Sequence, residues 1–389
     1  MQKCTKIAVK KCETRRKDKN GLHFPQERDM INIRKRLRNK RELFSKHQEV
    51  RMVSLKTIAE KCGVSTATVS KALNDQKDIS EETKRRVRKT AEALGYFPNA
   101  AARALKTNRS YNIGVLFEEE AGRGLTHEYF SGVLNGLKVQ AEKLGYDITF
   151  INTCFENRKM SYYEHCRYRN FEGVAIVCAD YSDPDVLELM NGDLPVVTID
   201  YIHHNCTAVS SNNIQGMESL VKYIYGQGHR KIAYIHGQGR SYVTKDRLAS
   251  FYRTTDELGL KIPEEYIREA EYLETKGAAR QTKELLNLEE PPTCIIYPDD
   301  TSLIGGRNVI TEMGLRIPED ISVAGYDGTR ISQLLHPKFA TIKQDTELIG
   351  SEAAKRLISA IEKPRTTLVE RVVIEGTLIP GQSVGTIEN

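Results

Sequence analysis

From residue 112 onward the chain repeats one pattern, in which apolar runs of six or seven residues alternate with amphipathic stretches. The runs are "NIGVLF" (112–117), "DITFIN" (147–152), "GVAIVCA" (173–179), "PVVTID" (195–200), "KIAYIHG" (231–237), "TCIIYPD" (293–299), "ISVAGYD" (321–327) and "ATIKQD" (340–345). Helical periodicity covers 130–144, 217–225, 247–258, 303–313 and 349–361. Strands that are apolar on both faces must be covered on both sides, and helical crossovers join neighbouring strands in parallel with right-handed connections. The pattern predicts an open α/β fold that receives its ligands at the carboxyl ends of the strands.

Ahead of this region the punctuation is purely helical. Leu55, Ile58 and Ala59 line one face of a short helix that ends at Cys62-Gly63, where glycine accepts the left-handed turn. Ser65 is placed to cap a second helix, with Val64 stapled to Val69. In "VSTATVSKAL" (64–73), a rotation of about 100° per residue gathers Val69, Ala72 and Leu73 on one side. Thr66, Ala67, Ser70, Lys71 and Asn74 fan across the other, making a short, polar, mildly basic face suited to close approach. A third helix starts at Ser80 with Glu81 and Glu82 in its first turn, turns Val87, Ala91 and Leu94 inward and stops at Gly95. Helix, glycine turn and helix make the helix-turn-helix pattern, whose second helix enters a DNA major groove.

A helical hairpin inside a bundle would show the same spacing, and charge separates the two readings. Residues 1–51 hold 17 Lys and Arg against 6 Asp and Glu, 52–109 hold 12 against 6, and the remaining 280 hold 29 against 40. A basic head on an acidic body points to a polyanion partner for the head alone. Residues 1–51 are read as a basic extension, with a loose helix over 31–51, and the patterned module begins at Met52.

Other classes find little support. No apolar run approaches the roughly 18 residues of a membrane span, and no apolar stretch follows the basic N-terminus to make a secretory leader. The expected location is the cytoplasm, with no membrane partner. The eight cysteines are scattered without CxxC or metal-ligand spacing, as reduced thiols would be. No GxSxG, GxxxxGK[ST] or post-strand GxGxxG occurs, and "HGQGR" (236–240) is a weak glycine loop. No catalytic residue, metal or cofactor is assigned. A sugar-binding transport receptor would share the α/β body, but would carry an export signal and no basic head.

The stretches "LKTIAEKCGVSTATVSKALN", "ISEETKRRVRKTAEALGYFPNAAARAL", "GHRKIAYIHG", "PEDISVAGYDG" and "TIKQD" resemble the lactose/galactose repressor family of bacterial transcription regulators, over nearly all the chain from Met52. The resemblance implies an all-α helix-turn-helix domain (52–97), a hinge helix and linker (98–110) and a periplasmic-binding-protein-like core (111–389) of two parallel-sheet subdomains. The first subdomain is expected near 111–211 and 341–367, and the second near 212–340 and 368–389. It also implies a homodimer on double-stranded operator DNA, controlled by a small effector of sugar or polyol type. Thr66, Ala67 and Lys71 fall at base-reading positions. Ser65, Thr68, Ser70, Asn74, Ser80 and Tyr96 fall at phosphate-contacting ones, and Leu55 joins the same contact set. "NAAARAL" (99–105) resembles the hinge helix: Asn99 starts it, Ala102 lies where paired hinges approach, and Leu105 is the wedge for the minor groove. Arg247, Asp299 and Asp327 match effector-contacting positions, with Asp200 a fourth carboxylate and Phe117 and Tyr129 on the opposite lobe. Guanidinium and carboxylate groups hold vicinal hydroxyls in paired hydrogen bonds.

Overall fold

Three serines set where the N-terminal helices begin. In the computed structural model, which describes residues 53–97, 104, 107–118, 122, 124–155 and 158–387, each serine Oγ accepts a backbone N–H three residues on. Ser54, Ser65 and Ser80 thereby cap α1 (Leu55–Cys62), α2 (Thr66–Leu73) and α3 (Glu81–Ala93). Each such cap is worth about 1 kcal/mol. Gly63 takes φ 65° and closes α1 by donating its N–H to the Ala59 carbonyl. Ile58, Ala59, Cys62, Val69, Ala72, Val87 and Ala91 form one small core. The chain divides into two units, residues 1–99 and 100–389. The extension 1–51 and the hinge positions Asn99, Ala102 and Leu105 lie outside the described residues.

The second unit holds two sheets. Its first lobe comprises β1 (Asn112–Phe117), α4 (Glu128–Lys143), β2 (Asp147–Phe150), the hairpin β3 (Cys154–Phe155) and β4 (Arg158–Lys159), α5 (Tyr162–Arg169), β5 (Val174–Cys178), α6 (Pro184–Asn191), β6 (Val196–Ile199) and β7 (Thr207–Ser211). The second lobe continues with α7 (Asn213–Gly226), β8 (Ile232–His236), α8 (Tyr242–Glu257), β9 (Ile267–Glu269), α9 (Thr275–Leu286), β10 (Cys294–Ile296), α10 (Asp300–Glu312), β11 (Ser322–Ala324), α11 (Arg330–Leu334) and β12 (Thr341–Lys343). The chain then returns through α12 (Thr346–Glu362) and β13 (Arg371–Ile374) before ending on β14 (Thr377–Ile379).

Strand order is β13-β7-β6-β5-β1-β2 in the first lobe and β11-β10-β8-β9 in the second, all parallel, while β12 and β14 pair antiparallel. This layout corrects the expected subdomain boundaries. Arg371–Ile374, expected in the second subdomain, pairs with Ala208–Ser211 at the edge of the first sheet. Thr341–Lys343, expected in the first, packs Ile342 into the second lobe's core beside Met217 and Tyr326. Short β-branched runs can join either sheet, and only their partners decide which.

The chain passes between lobes at Asn212, at Gln344–Asp345 and at Glu375–Gly376. The crossings are tied together: the Asn212 amide donates to the Glu375 carboxylate at 3.0 Å, and its backbone N–H to the Ile374 carbonyl at 2.7 Å. On the first lobe α4 and α12 meet through glycines. A Cβ at Gly350 would fall 2.6 Å from the Leu137 backbone nitrogen and closer still to the Val133 carbonyl. Backbone cannot swing aside, so Gly350→Ala is expected to lower the urea unfolding free energy by about 2 to 3 kcal/mol. A change under about 0.5 kcal/mol, the range of a neutral surface substitution, would refute this packing.

Candidate nucleic-acid interface and ligand cleft

Helix α2 is amphipathic as its spacing predicts. Val69 and Ala72 are fully buried, whereas Thr66 and Ala67 are exposed, and Thr68, Ser70 and Lys71 are half-buried at the margin. The exposed strip therefore ends in one ammonium, whose Nζ donates to the Asp78 carboxylate. Three residues expected on phosphates have internal partners. Ser65 and Ser80 are caps, and Asn74 turns its amide back onto the Ser70 carbonyl at 2.7 Å. Leu55 and Tyr96 are half-buried and pack against the domain core.

In the second unit the effector candidates converge where the strands end. Arg247, on α8, is 3% exposed. Its Nε donates to Asn213 Oδ1 at 2.8 Å, Nη1 donates to the Pro298 carbonyl at 3.0 Å, and its guanidinium lies 3.5 Å from the Tyr326 ring centroid. Burial works against its charge, yet the surrounding phenols of Tyr326, Tyr272 and Tyr234 and the Asp327 carboxylate hold its pKa above the usual arginine range. Asp327 sits at φ 94° just beyond β11 and accepts from the Gln344 amide at 2.7 Å. Burial pushes its carboxyl up to about 7, against the opposing pull of Arg247.

Across the cleft, the Tyr129 hydroxyl donates to Asp200, a residue at φ 55° following β6. Burial raises the Asp200 carboxyl, with Tyr129 and Arg247 lowering it. The field of Arg247 therefore reaches the opposite lobe. Phe117, closing β1, packs edge-on against Phe130 with ring centroids 5.3 Å apart. The Arg330 backbone N–H donates to the Glu128 carboxylate at 2.7 Å, a direct link between α11 and α4.

Asp299 departs from its expected role. One oxygen accepts from Ser302 N at 2.8 Å, and the other accepts from Leu273 N and Ser302 Oγ, each at 2.8 Å, so the carboxylate caps α10. Its neighbour Asp300 is also buried and committed, accepting from Thr329 N, Thr329 Oγ1 and Thr341 Oγ1. Burial and the nearby Asp327 push its carboxyl to about 8.

Sequence reasoning missed an aromatic platform. Tyr181 and Tyr201 stack with centroids 3.7 Å apart and planes 2° from parallel, and Tyr242 from the second lobe meets Tyr201 edge-on at 5.3 Å. The available signal was position, since Tyr181 follows β5 and Tyr201 follows β6 at the carboxyl ends where such folds receive ligands. Asn213 and Gln344 carried no comparable signal. They matter because each ties an effector candidate to a crossing between lobes.

Among the described residues no group of three His, Cys, Asp or Glu could hold a metal ion, and no helix is long and apolar enough to cross a membrane. Residues 54–99 match the model for bacterial regulatory proteins of the lacI family, and residues 221–384 match the periplasmic binding protein-like domain. The HTH-type transcriptional repressor PurR of Vibrio vulnificus (strain CMCP6) is 29% identical over 317 residues, 80% of this chain and 92% of that protein. The PurR of Pasteurella multocida (strain Pm70) is 29% identical over 329 residues, 83% of this chain and 96% of its own length. The crystal structure of the lac repressor dimer bound to operator and the anti-inducer ONPF aligns with a TM-score of 0.73 at 25% identity, spanning 86% of this chain and 100% of that one. The transcriptional regulator CelR in complex with cellobiose has the same fold, with a TM-score of 0.62 at 24% identity over 85% of this chain and 99% of that one. The relatives are regulators rather than enzymes. A lacI-type helix-turn-helix followed by a periplasmic binding protein-like domain in one chain is thus the arrangement that this protein shares with the transcription regulators it is similar to.

Proposed function

We propose that the protein is an effector-controlled repressor that binds a pseudo-palindromic operator as a homodimer. Thr66, Ala67 and Lys71 read base edges from α2, and Ser65, Thr68 and Ser70 position the helix on phosphates. Asn99, Ala102 and Leu105 supply the hinge contacts to the minor groove. The apolar Ile331 and Leu334, exposed on α11, suit a contact between two copies of the core. The operator-bound lac repressor dimer supports this reading by likeness. Cytoplasmic action follows from the DNA partner.

The effector we assign is a neutral polyhydroxylated molecule of the sugar or polyol class. The observation that carries this is the convergence of Arg247, Asp327 and Asp200 at facing strand ends, beside the Tyr181–Tyr201 stack that offers a flat apolar surface. An anion such as a sugar phosphate would have to hold Asp200 and Asp327 in their neutral form, which works against its binding as pH rises. Ligand binding between the lobes shifts the population of core states, to the extent that one state is bound more tightly. A second reading, a flat nitrogen heterocycle, is favoured by the same stack together with Phe117 and Phe130.

A thermal-shift panel of neutral sugars, polyols, nucleosides and sugar phosphates on the full chain separates these. At least one neutral sugar or polyol is expected to raise Tm, with the gain lost in Asp327→Asn and Arg247→Ala and no gain from sugar phosphates. Stabilisation by nucleosides alone favours the second reading. Stabilisation by phosphates overturns the charge argument.

A further inference from the structure

The first turn of α11 takes a hydrogen-bond partner from the opposite lobe. Thr329 stands at the capping position with extended backbone (φ −62°, ψ 155°), yet its side chain makes no cap. Its Oγ1 donates to the buried Asp300 carboxylate at 2.9 Å and its N–H to the same oxygen at 2.7 Å. The leading N–H groups of a helix have no partner inside it. For Arg330, the first residue of α11, the partner is Glu128 at the start of α4, whose Oε1 accepts the N–H at 2.7 Å. Both ends of this contact adjoin the cleft. Glu128 precedes Tyr129, whose hydroxyl donates to Asp200, and Arg330 lies three positions after Asp327. Ile331 and Leu334, on the same short helix, are exposed.

We propose that Glu128 is an interlobe latch that holds the first N–H of α11 only while the lobes are closed, so that the order of α11 depends on closure of the ligand cleft. Its consequence for regulation rests on the reading of the cleft as an effector site and of α11 as a contact between copies. A hydrogen bond between two moving bodies is lost once they part by about 1 Å. The other anchors of α11 lie wholly within the second lobe and do not sense the first: Asp300 holds Thr329, and the Ser332 hydroxyl donates to the Thr329 carbonyl at 2.7 Å. Losing a cap shifts a helix toward its frayed state about fivefold. Coupling is reciprocal, so fraying α11 favours open lobes by the same factor. A ligand that draws Asp200 and Asp327 together therefore orders the helix by up to that factor. The response is graded, and it reaches the exposed Ile331 and Leu334 without any ligand contact to α11.

The test is amide hydrogen exchange on the full chain without ligand, read at single residues. The variants are Glu128→Ala, Glu128→Asp, Glu128→Gln, Tyr242→Ala and the double variant Glu128→Ala with Tyr242→Ala. Aspartate keeps the charge at the start of α4 but is one methylene shorter, and glutamine keeps the accepting oxygen. The Arg330 amide is expected to exchange at least about fivefold faster in Glu128→Ala and Glu128→Asp, and about twofold faster in Glu128→Gln, whose acceptor is neutral. The Leu334 amide should quicken by up to about fivefold in the same variants, and the Leu137 amide inside α4 should not change. Tyr242→Ala removes the edge-on contact with Tyr201, a second tie between the lobes. It should speed Arg330 exchange about two- to tenfold while Glu128 is present, and add nothing in the Glu128→Ala background. Glu128 is no latch if Glu128→Ala leaves the Arg330 amide at the parent's rate, since the contact would then protect nothing. It is equally no latch if Tyr242→Ala acts alike in both backgrounds, since lobe opening would then not act through Glu128. Failure of the α11 reading looks different: Leu334→Asp would then leave the sedimentation of the chain as in the parent.

Discussion

Arg247→Ala is expected to destabilise the core by about 3 to 5 kcal/mol and to abolish its response to a cleft ligand, the largest effect of any single substitution considered. Burying a charge is tolerable only when every donor has a partner and a counter-charge is near. Here those partners are Asn213 Oδ1, the Pro298 carbonyl, the face of Tyr326 and the Asp327 carboxylate. Truncation strands all four and opens a cavity among buried residues. Arg247→Lys should recover little, because an ammonium cannot lie flat on Tyr326 while donating in two fixed directions. Urea unfolding monitored at the core transition measures the loss. A shift below about 0.5 kcal/mol, typical of exposed sites, would mean that the guanidinium is not the keystone of this region.

Stability should fall as pH rises from 5.5 to 8.5. Asp327 titrates near 7 in the folded chain and Asp300 near 8, against an ordinary value of 3.8. A raised carboxyl binds its proton more tightly when folded, so its contribution is fully present below about 4 and disappears as pH passes the folded value. For Asp327 alone the loss between pH 5.5 and 8.5 is about 2 kcal/mol. Asp327→Asn should remove that share, since asparagine keeps an oxygen for the Gln344 amide. Binding of a hydroxylated ligand should run the other way, strengthening as Asp327 ionises and becomes a better acceptor. Denaturant titrations at both pH values test the first claim, and a flat or rising profile for the parent would contradict it.

How much of this was legible beforehand can be followed residue by residue. The caps at Ser65 and Ser80, the turn at Gly63 and the buried pair Val69 and Ala72 all follow from local rules acting within one or two helical turns. The strands followed from apolar runs; resemblance singled out Arg247 and Asp327 as effector candidates, and placement along the chain singled out Asp200, Phe117 and Tyr129. Asp299 was misread because a carboxylate opening a helix looks the same in sequence whether it serves a ligand or the helix's own N–H groups. Two of the hydrogen bonds to Asp299 come from Ser302, three positions on, and the third appears only once Leu273 is brought beside it. Tyr201 and Tyr242 are 41 positions apart, and no periodicity links them.

What the amino-acid order alone determined is therefore local and periodic: which segments are helices or strands, which faces turn inward, and that a basic head precedes an acidic body. The tertiary structure decided the lobe to which β12 and β13 belong, the job of Asp299, the stack of Tyr181 on Tyr201 and the ties from Arg247 and Asp327 to the crossings between lobes. The reason is one of range. Caps and amphipathic faces depend on neighbours within a few positions, whereas a buried charge is defined by partners tens of residues away that meet only when both sheets have formed.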